Sequence, residues 1–148
     1  MAKILCIDDN AHGLNARRIL LEREGHTVTV ARSGLEGLTL FQRARPDLVV
    51  VDYVMPHMNG GEVIREIKRA APKVPVILLS GYTEVLSLEE KVKEADCILT
   101  KSSTREIPEL LSTISRLLRK SSKKPAASVK AKAKDTKEKK TAGRKTIR

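Results

Sequence analysis

Four short apolar runs in this sequence end on a group that can do chemistry. Residues 4–7 run into Asp8 and Asp9, residues 48–51 into Asp52, residues 76–79 into Ser80, and residues 97–99 into Thr100 and Lys101. A run that merely crosses a core should not stop on a carboxylate, because burying an unpaired charge is costly. If Asp8, Asp9 and Asp52 meet, their charges repel, and at least one must take up a proton unless a cation joins them. A divalent cation removes the difficulty. An oxygen-only donor set, with no His or Cys in a usable position, favours Mg2+, which keeps several waters and binds through a few carboxylates plus phosphate oxygens. Lys101 adds a compact positive charge and Ser80 a hydroxyl donor, both suited to phosphoryl oxygens. Helix capping or strand-end polarity accounts for any one of these residues alone, but not for their joint placement.

The elements that must position them alternate in type. Apolar runs at 4–7, 28–31, 48–51, 76–79 and 97–99 are each short enough for a buried strand. Between them the spacing is helical. One such segment covers about 11–24 and stops at Gly25; the next opens at Ser33, a suitable N-cap, and puts Leu38, Phe41 and Ala44 on one face. "GEVIREIKRA" groups Val63, Ile64 and Ile67, and a more polar segment occupies about 84–94. The last opens with "STRE", where Ser103 and Glu106 have capping-box spacing, and continues through Ile107, Leu110, Leu111, Ile114, Leu117 and Leu118. Pro108 is expected to delay that helix by a turn. Five strands alternating with five helices predict an α/β fold with a parallel sheet covered on both faces. In such sheets ligands bind beyond the carboxyl ends of the strands, where the chemical groups above would gather.

Composition fits one ordinary domain with an appendage: 148 residues and 16.4 kDa, 41% hydrophobic, with aromatics only 2%, so the core must be built from Leu, Ile and Val. No apolar run approaches the roughly 20 residues that a membrane helix needs, and "MAKILCID" is too short for a signal sequence, which predicts a cytoplasmic location. The net charge of +11 is concentrated at one end. From Lys120 to Arg148 there are 12 Lys and Arg against 2 Asp and Glu, with no aromatic residue. Such a segment cannot bury enough surface to offset its ordering entropy, so residues 1–119 are expected to fold and 120–148 to remain a disordered basic tail. Cys6 and Cys97 lie in apolar runs without metal-ligand spacing and are read as core residues. His12 and His57 are read as exposed, His26 as a loop residue, and Met55 and Met58 as loop packing.

On the acidic pair "IDD", the "VDYVMPHMNG" block with Met55, Pro56 and Gly60 after Asp52, and "LLSG" and "LTK", the chain resembles the receiver domains of two-component response regulators, the CheY-like family. The likeness covers about residues 2–119. It implies a flavodoxin-like, doubly wound (βα)5 fold with strand order 2-1-3-4-5. It implies further that Asp52 is the phosphoacceptor, taking a phosphoryl group from a sensor histidine kinase or a phosphotransfer protein. Asp9, Asp52 and the backbone carbonyl of Val54 would hold Mg2+, with Asp8 acting through a water. Lys101 would neutralise the acyl phosphate and Ser80 would donate to it. Such a protein is not an enzyme with a separate substrate; it signals by protein contacts, here expected on the face of segment 84–94, the fifth strand and the last helix.

Departures from the family pattern bear on output. The aromatic that receivers carry three residues before the lysine is replaced by Ile98, and the proline after it by Ser102, so a trans peptide is expected there. Val54 and Tyr82, at the positions flanking the hydrolytic water, offer no group to orient it, which predicts a long-lived acyl phosphate. Other function classes fit less well. An aspartyl-phosphate phosphatase of the haloacid-dehalogenase type needs an Asp-x-Asp pair after the first strand, a dinucleotide site needs G-x-G-x-x-G, and a phosphate-loop NTPase needs G-x-x-x-x-G-K; none is present. The alternative that remains is a nucleic-acid-binding protein acting through residues 120–148, with the receiver as its regulator.

Overall fold

The computed structural model describes residues 1–81, 87–88, 91–101 and 106–128. Its elements are β1 (Lys3–Ile7), α1 (Ala11–Arg23), β2 (Thr27–Ala31), α2 (Gly34–Ala44), β3 (Leu48–Asp52), α3 (Gly60–Ala70), β4 (Val76–Ser80), β5 (Cys97–Thr100) and α4 (Glu106–Ser128). The strands form one parallel sheet, as the alternating pattern predicts, in the order β2-β1-β3-β4-β5 that the receiver resemblance implies. Every residue of β3 and β4 is buried. That is why their sequences are continuous apolar runs instead of alternating ones: both faces are covered. Each fully buried Val, Leu or Ile contributes roughly 1.5–3 kcal/mol, so a core of Leu5, Ile7, Val49, Val51, Ile64, Ile67 and Leu78 needs few aromatics.

Local chemistry sets the helix ends. The Asn10 side chain accepts from Gly13 N–H at 3.0 Å to start α1, and Gly25, at φ +94°, lets the chain turn back after it. Ser33 caps α2, as expected, by accepting from Glu36 N–H at 3.1 Å. At α3 the reciprocal pair is complete: Asn59 accepts from Glu62 N–H and Glu62 from Asn59 N–H, both at 3.0 Å.

One expectation about the last helix needs correction. Pro108 does not delay it, since α4 already begins at Glu106. The first four N–H groups of any helix lack an intrahelical acceptor, so a proline in the first turn removes nothing. Beyond residue 119 the helical backbone of α4 continues to Ser128, passing Pro125, which has no N–H to give to the i→i−4 ladder. Residues 129–148 and Ser103, with its expected capping role, lie outside the described residues. So do residues 84–86 and 89–90 of the predicted segment 84–94, of which Ser87, Leu88 and Lys91 are helical and Leu88 and Val92 buried. The backbone groups into two compact units, Met1–Ser115 and Arg116–Arg148. Among the described residues no helix is long and apolar enough to cross a membrane.

His26 is more than a loop filler: its Nδ1 accepts from Ala2 N–H at 3.2 Å, fastening the segment before β1. Burial holds this imidazole below its ordinary value of 6.5. Only the neutral ring can accept at Nδ1, so its contribution is complete above the ordinary value and is lost as pH falls from there through the lower value of the folded protein. Wild type should therefore lose more melting temperature than His26→Gln between about pH 7.5 and about pH 5.5. Parallel curves for the two proteins would remove His26 from the pH response.

Candidate functional site

Strand register brings the sequence-predicted residues to one end of the sheet. Ile7 pairs with Ala31 on one side and with Val51 on the other, Asp52 with Leu79, and Ser80 with Thr100. The strands thus end level, and Asp8, Asp9, Asp52, Ser80 and Lys101 follow or close them at the same edge. β1 lies between β2 and β3, so the chain order reverses there and opens the crevice that open α/β sheets use for ligands.

Asp8 is fully buried and held on all sides. Its N–H donates to Ala31 O at 3.0 Å, its Oδ1 accepts from Asn10 N–H at 3.0 Å, and its Oδ2 accepts from Arg17 Nη1 at 2.7 Å. Burial alone would raise its pKa, but the Asn10 N–H, the Arg17 guanidinium and Lys101 together outweigh burial and hold the carboxyl below its usual range. Asp8 is therefore a fixed anion.

Asp52 closes β3 and is also buried. Lys101 Nζ stands 2.7 Å from Asp52 Oδ1 and 3.6 Å from Asp8 Oδ2. One ammonium is shared between two carboxylates. For Asp52 the balance falls the other way: burial, aided by the neighbouring Asp8 charge, outweighs Lys101 and raises its pKa. The short contact with Lys101 argues for a charged Asp52, and the raised pKa marks the cost of burying that charge beside Asp8. Asp9 is exposed at the mouth of the cluster, and the three aspartates can each offer an oxygen within 4.8 Å of the others. This all-oxygen set, short of positive charge, fits a hard divalent cation. Neither His12 nor His57 joins it; both are exposed.

The remaining members are placed by backbone. Lys101 N–H donates to Ser80 O at 2.8 Å, continuing the β5 ladder past its last residue. Ser80 is buried, with its hydroxyl donating to Gly81 O at 3.0 Å. The loop after Asp52 turns on two bonds, Tyr53 N–H to Leu79 O at 2.9 Å and Gly60 N–H to Tyr53 O at 2.8 Å. Within it Met55 is buried, Val54 is exposed, and His57 takes φ +70°. A Cβ on Gly60 would lie 2.5 Å from Asp52 O, so only glycine lets the loop close against the strand. Ile98 is half-buried against the core. Tyr82 and Ser102 lie outside the described residues, and with them the expectations about hydrolysis and the trans peptide.

Arg17 is the site residue that sequence reasoning missed. It stands on α1 between Leu14 and Leu21, on the same buried face, at 5% exposure. The signal was available: a lone arginine in the apolar stripe of a helix that follows an acidic pair. Its second partner is Glu106, whose Oε2 accepts from Nε at 2.9 Å. Cys6, buried behind this site, has its thiol pushed up to about 12 by burial and is inert.

Comparison with known proteins agrees with this geometry. The sequence profile of the response regulator receiver domain matches residues 4–115. The chain is 34% identical over 121 residues to protein PilH of Pseudomonas aeruginosa, covering 80% of this chain and 98% of PilH. It is 41% identical over 84 residues to the transcriptional regulatory protein AfsQ1 of Streptomyces coelicolor, covering 57% of this chain but 37% of that protein. The match thus spans about half or less of the length of these relatives, 37% of AfsQ1 and 54% of the response regulator MprA of Mycobacterium leprae. The response regulator TrrA of Thermotoga maritima, solved in complex with Mg2+ and BeF, superposes with a TM-score of 0.72 at 31% identity, over 79% of this chain and 99% of that one. A receiver domain protein from Clostridium thermocellum superposes with a TM-score of 0.71 at 32% identity, over 85% and 98%. Fold, level strand ends, acidic cluster and sequence profile converge: this chain belongs to the response regulator receiver domain family.

Proposed function

We propose that the chain is a phosphoacceptor of two-component signalling, and that Asp52 takes a phosphoryl group from the phosphohistidine of a sensor histidine kinase or phosphotransfer protein. The observation that carries this is the 2.7 Å contact of Lys101 with Asp52 inside a cluster of three aspartates. An Asp52 oxygen attacks phosphorus as the bond to the donor nitrogen breaks, leaving an acyl phosphate on Asp52 and the electron pair on the imidazole. Phosphoryl transfer needs mainly positioning and charge neutralisation, and these residues supply both. β3 and the Gly60 turn fix the nucleophile. Lys101, already bound to Asp52, meets the incoming phosphoryl oxygens without rearranging the strand. Ser80 exchanges its bond to Gly81 O for one to a phosphoryl oxygen.

Mg2+ would be held by Asp9, Asp52 and the Val54 carbonyl, and would neutralise charge on the phosphoryl group. Both oxygens of Asp8 are engaged by Asn10 N–H and Arg17, which suits a role through water. The Mg2+ and BeF carried by the TrrA structure support this assignment. The chain is on this reading a substrate of its kinase, cytoplasmic, and no enzyme toward a separate substrate. Its downstream partner would dock on segment 84–94, β5 and the start of α4. Incubation with a small acyl-phosphate donor should add the mass of one phosphoryl group. An unchanged mass, or a gain that persists in the presence of a chelator, would count against the reading.

A second proposal concerns the basic end. With 12 Lys and Arg against 2 Asp and Glu from Lys120 onward, it should bind duplex DNA weakly and without sequence preference, by counterion release. Deleting residues 129–148 keeps all of α4 and should weaken that binding at low salt while phosphorylation continues. Equal affinities with and without those residues would assign the tail another role.

A further inference from the structure

The buried arginine of α1 has no part in the phosphoryl chemistry above, yet it touches both the acidic cluster and the start of the last helix. A guanidinium on the buried face of a helix is tolerated only when its donors are met. Here Nη1 meets Asp8 Oδ2 at 2.7 Å and Nε meets Glu106 Oε2 at 2.9 Å. Asp8 belongs to the cluster, whereas Glu106 is the first residue of α4. The planar fork of arginine, with donors in fixed directions, allows one side chain to bridge two elements far apart in sequence.

We propose that Arg17 is an internal counter-cation that sets the affinity of the acidic cluster for a divalent metal ion and, through Glu106, links occupancy of that cluster to the first turn of α4. The inference rests on the reading that Asp8, Asp9 and Asp52 take Mg2+. Arg17 and Lys101 both stand against Asp8, so the site already holds positive charge before a dication arrives, and the ion must compete with it. Glu106 draws part of that positive charge away from Asp8. Removing the Glu106 charge leaves Arg17 wholly to Asp8 and disfavours the ion. Removing Arg17 does the opposite. Because linkage is reciprocal, an ion that loosens Arg17 from Asp8 must tighten the Glu106 contact by the same coupling.

Calorimetric Mg2+ binding to the full chain tests this, with hydrogen exchange at the first turn of α4 as a second readout. Arg17→Met, which keeps an unbranched side chain in the apolar stripe, should bind Mg2+ about tenfold more tightly than wild type. Glu106→Gln should bind about threefold more weakly, and the same change made in Arg17→Met should have no effect. Mg2+ should alter exchange of the α4 first turn in wild type but not in Arg17→Met. Arg17→Lys keeps the charge without the fork, so it should bind Mg2+ about threefold more weakly, as Glu106→Gln does, and lose the dependence on Glu106. Should Arg17→Met fail to fold, the lysine variant with and without Glu106→Gln decides the matter. Mg2+ affinity in Arg17→Met within twofold of wild type, or a Glu106→Gln effect of equal size in wild type and Arg17→Lys, overturns the proposal while leaving the metal site intact. A wild type that binds no Mg2+ overturns the reading of the cluster itself.

Discussion

Lys101→Met should slow phosphoryl uptake by about 100-fold or more while leaving the fold in place. Removing one preorganised charge or donor from where negative charge develops costs about 10²–10³ in rate. Here the loss is aggravated because the same ammonium serves two buried carboxylates, at 2.7 Å from Asp52 and 3.6 Å from Asp8. Without it, the cation that remains beside Asp8 among the described residues is Arg17, already turned toward Asp8 and Glu106. The Asp52 carboxyl, already raised by burial, would be raised further, so the reactive anion would be scarcer as well as less well neutralised. Methionine keeps the stem length and its partial burial, which separates charge from packing. The check is the rate of label uptake from an acyl-phosphate donor at saturating Mg2+, beside melting curves of both proteins. A rate within threefold of wild type would show that the ion pair is structural only.

Gly60→Ala should lower stability by about 2 kcal/mol, or about 10 °C in melting temperature for a domain of this size. Alanine is the better helix former by up to about 1 kcal/mol, so the sign depends on the contacts. An added Cβ would lie 2.5 Å from Asp52 O, 2.9 Å from Tyr53 Cα and 2.9 Å from Leu78 Cδ1. The Leu78 methyl can rotate away; the other two atoms are backbone of β3 and its loop and cannot move without displacing the acceptor. Overlap therefore outweighs propensity, and phosphoryl uptake should fall together with stability. Gly61→Ala is the control. Its Cβ would meet Val92 Cγ2 at 3.1 Å and Asn59 Oδ1 at 3.2 Å, side-chain atoms that can yield by a few tenths of an ångström. Equal melting temperatures for Gly60→Ala and wild type would contradict the close approach.

What the sequence made legible follows from how each signal arises. Parallel strands buried on both faces leave uninterrupted apolar runs, so β1, β3 and β4 announced themselves, and the residue ending each run fell at the sheet edge. Asp8, Asp52, Ser80 and Lys101 were readable because a polar or charged group at the end of a buried strand must find a partner or a use there. Arg17 was not read, because a cation on a helix resembles a solvated face until tertiary packing shows which side is buried. The Asn59 and Glu62 caps were masked by the two glycines between them, which suggest a loop. Pro108 was judged by its effect in a helix interior, but it sits in the first turn. The extent of α4 is illegible for a different reason: charge density argues for solvation, and Pro125 argues against a helix at that point. His26 gave no local sign of the bond to Ala2, which arises from the register of β1 beside β2.

The most direct test is to find where the phosphoryl group resides. After reaction with an acyl-phosphate donor and Mg2+, borohydride reduces an aspartyl phosphate to homoserine, and peptide mass mapping shows which position has changed. The expected result is homoserine at position 52 alone, absent when Mg2+ is chelated and absent in Asp52→Asn. Homoserine at Asp8 or Asp9, or label that survives in Asp52→Asn, would contradict the assignment of Asp52 as the acceptor.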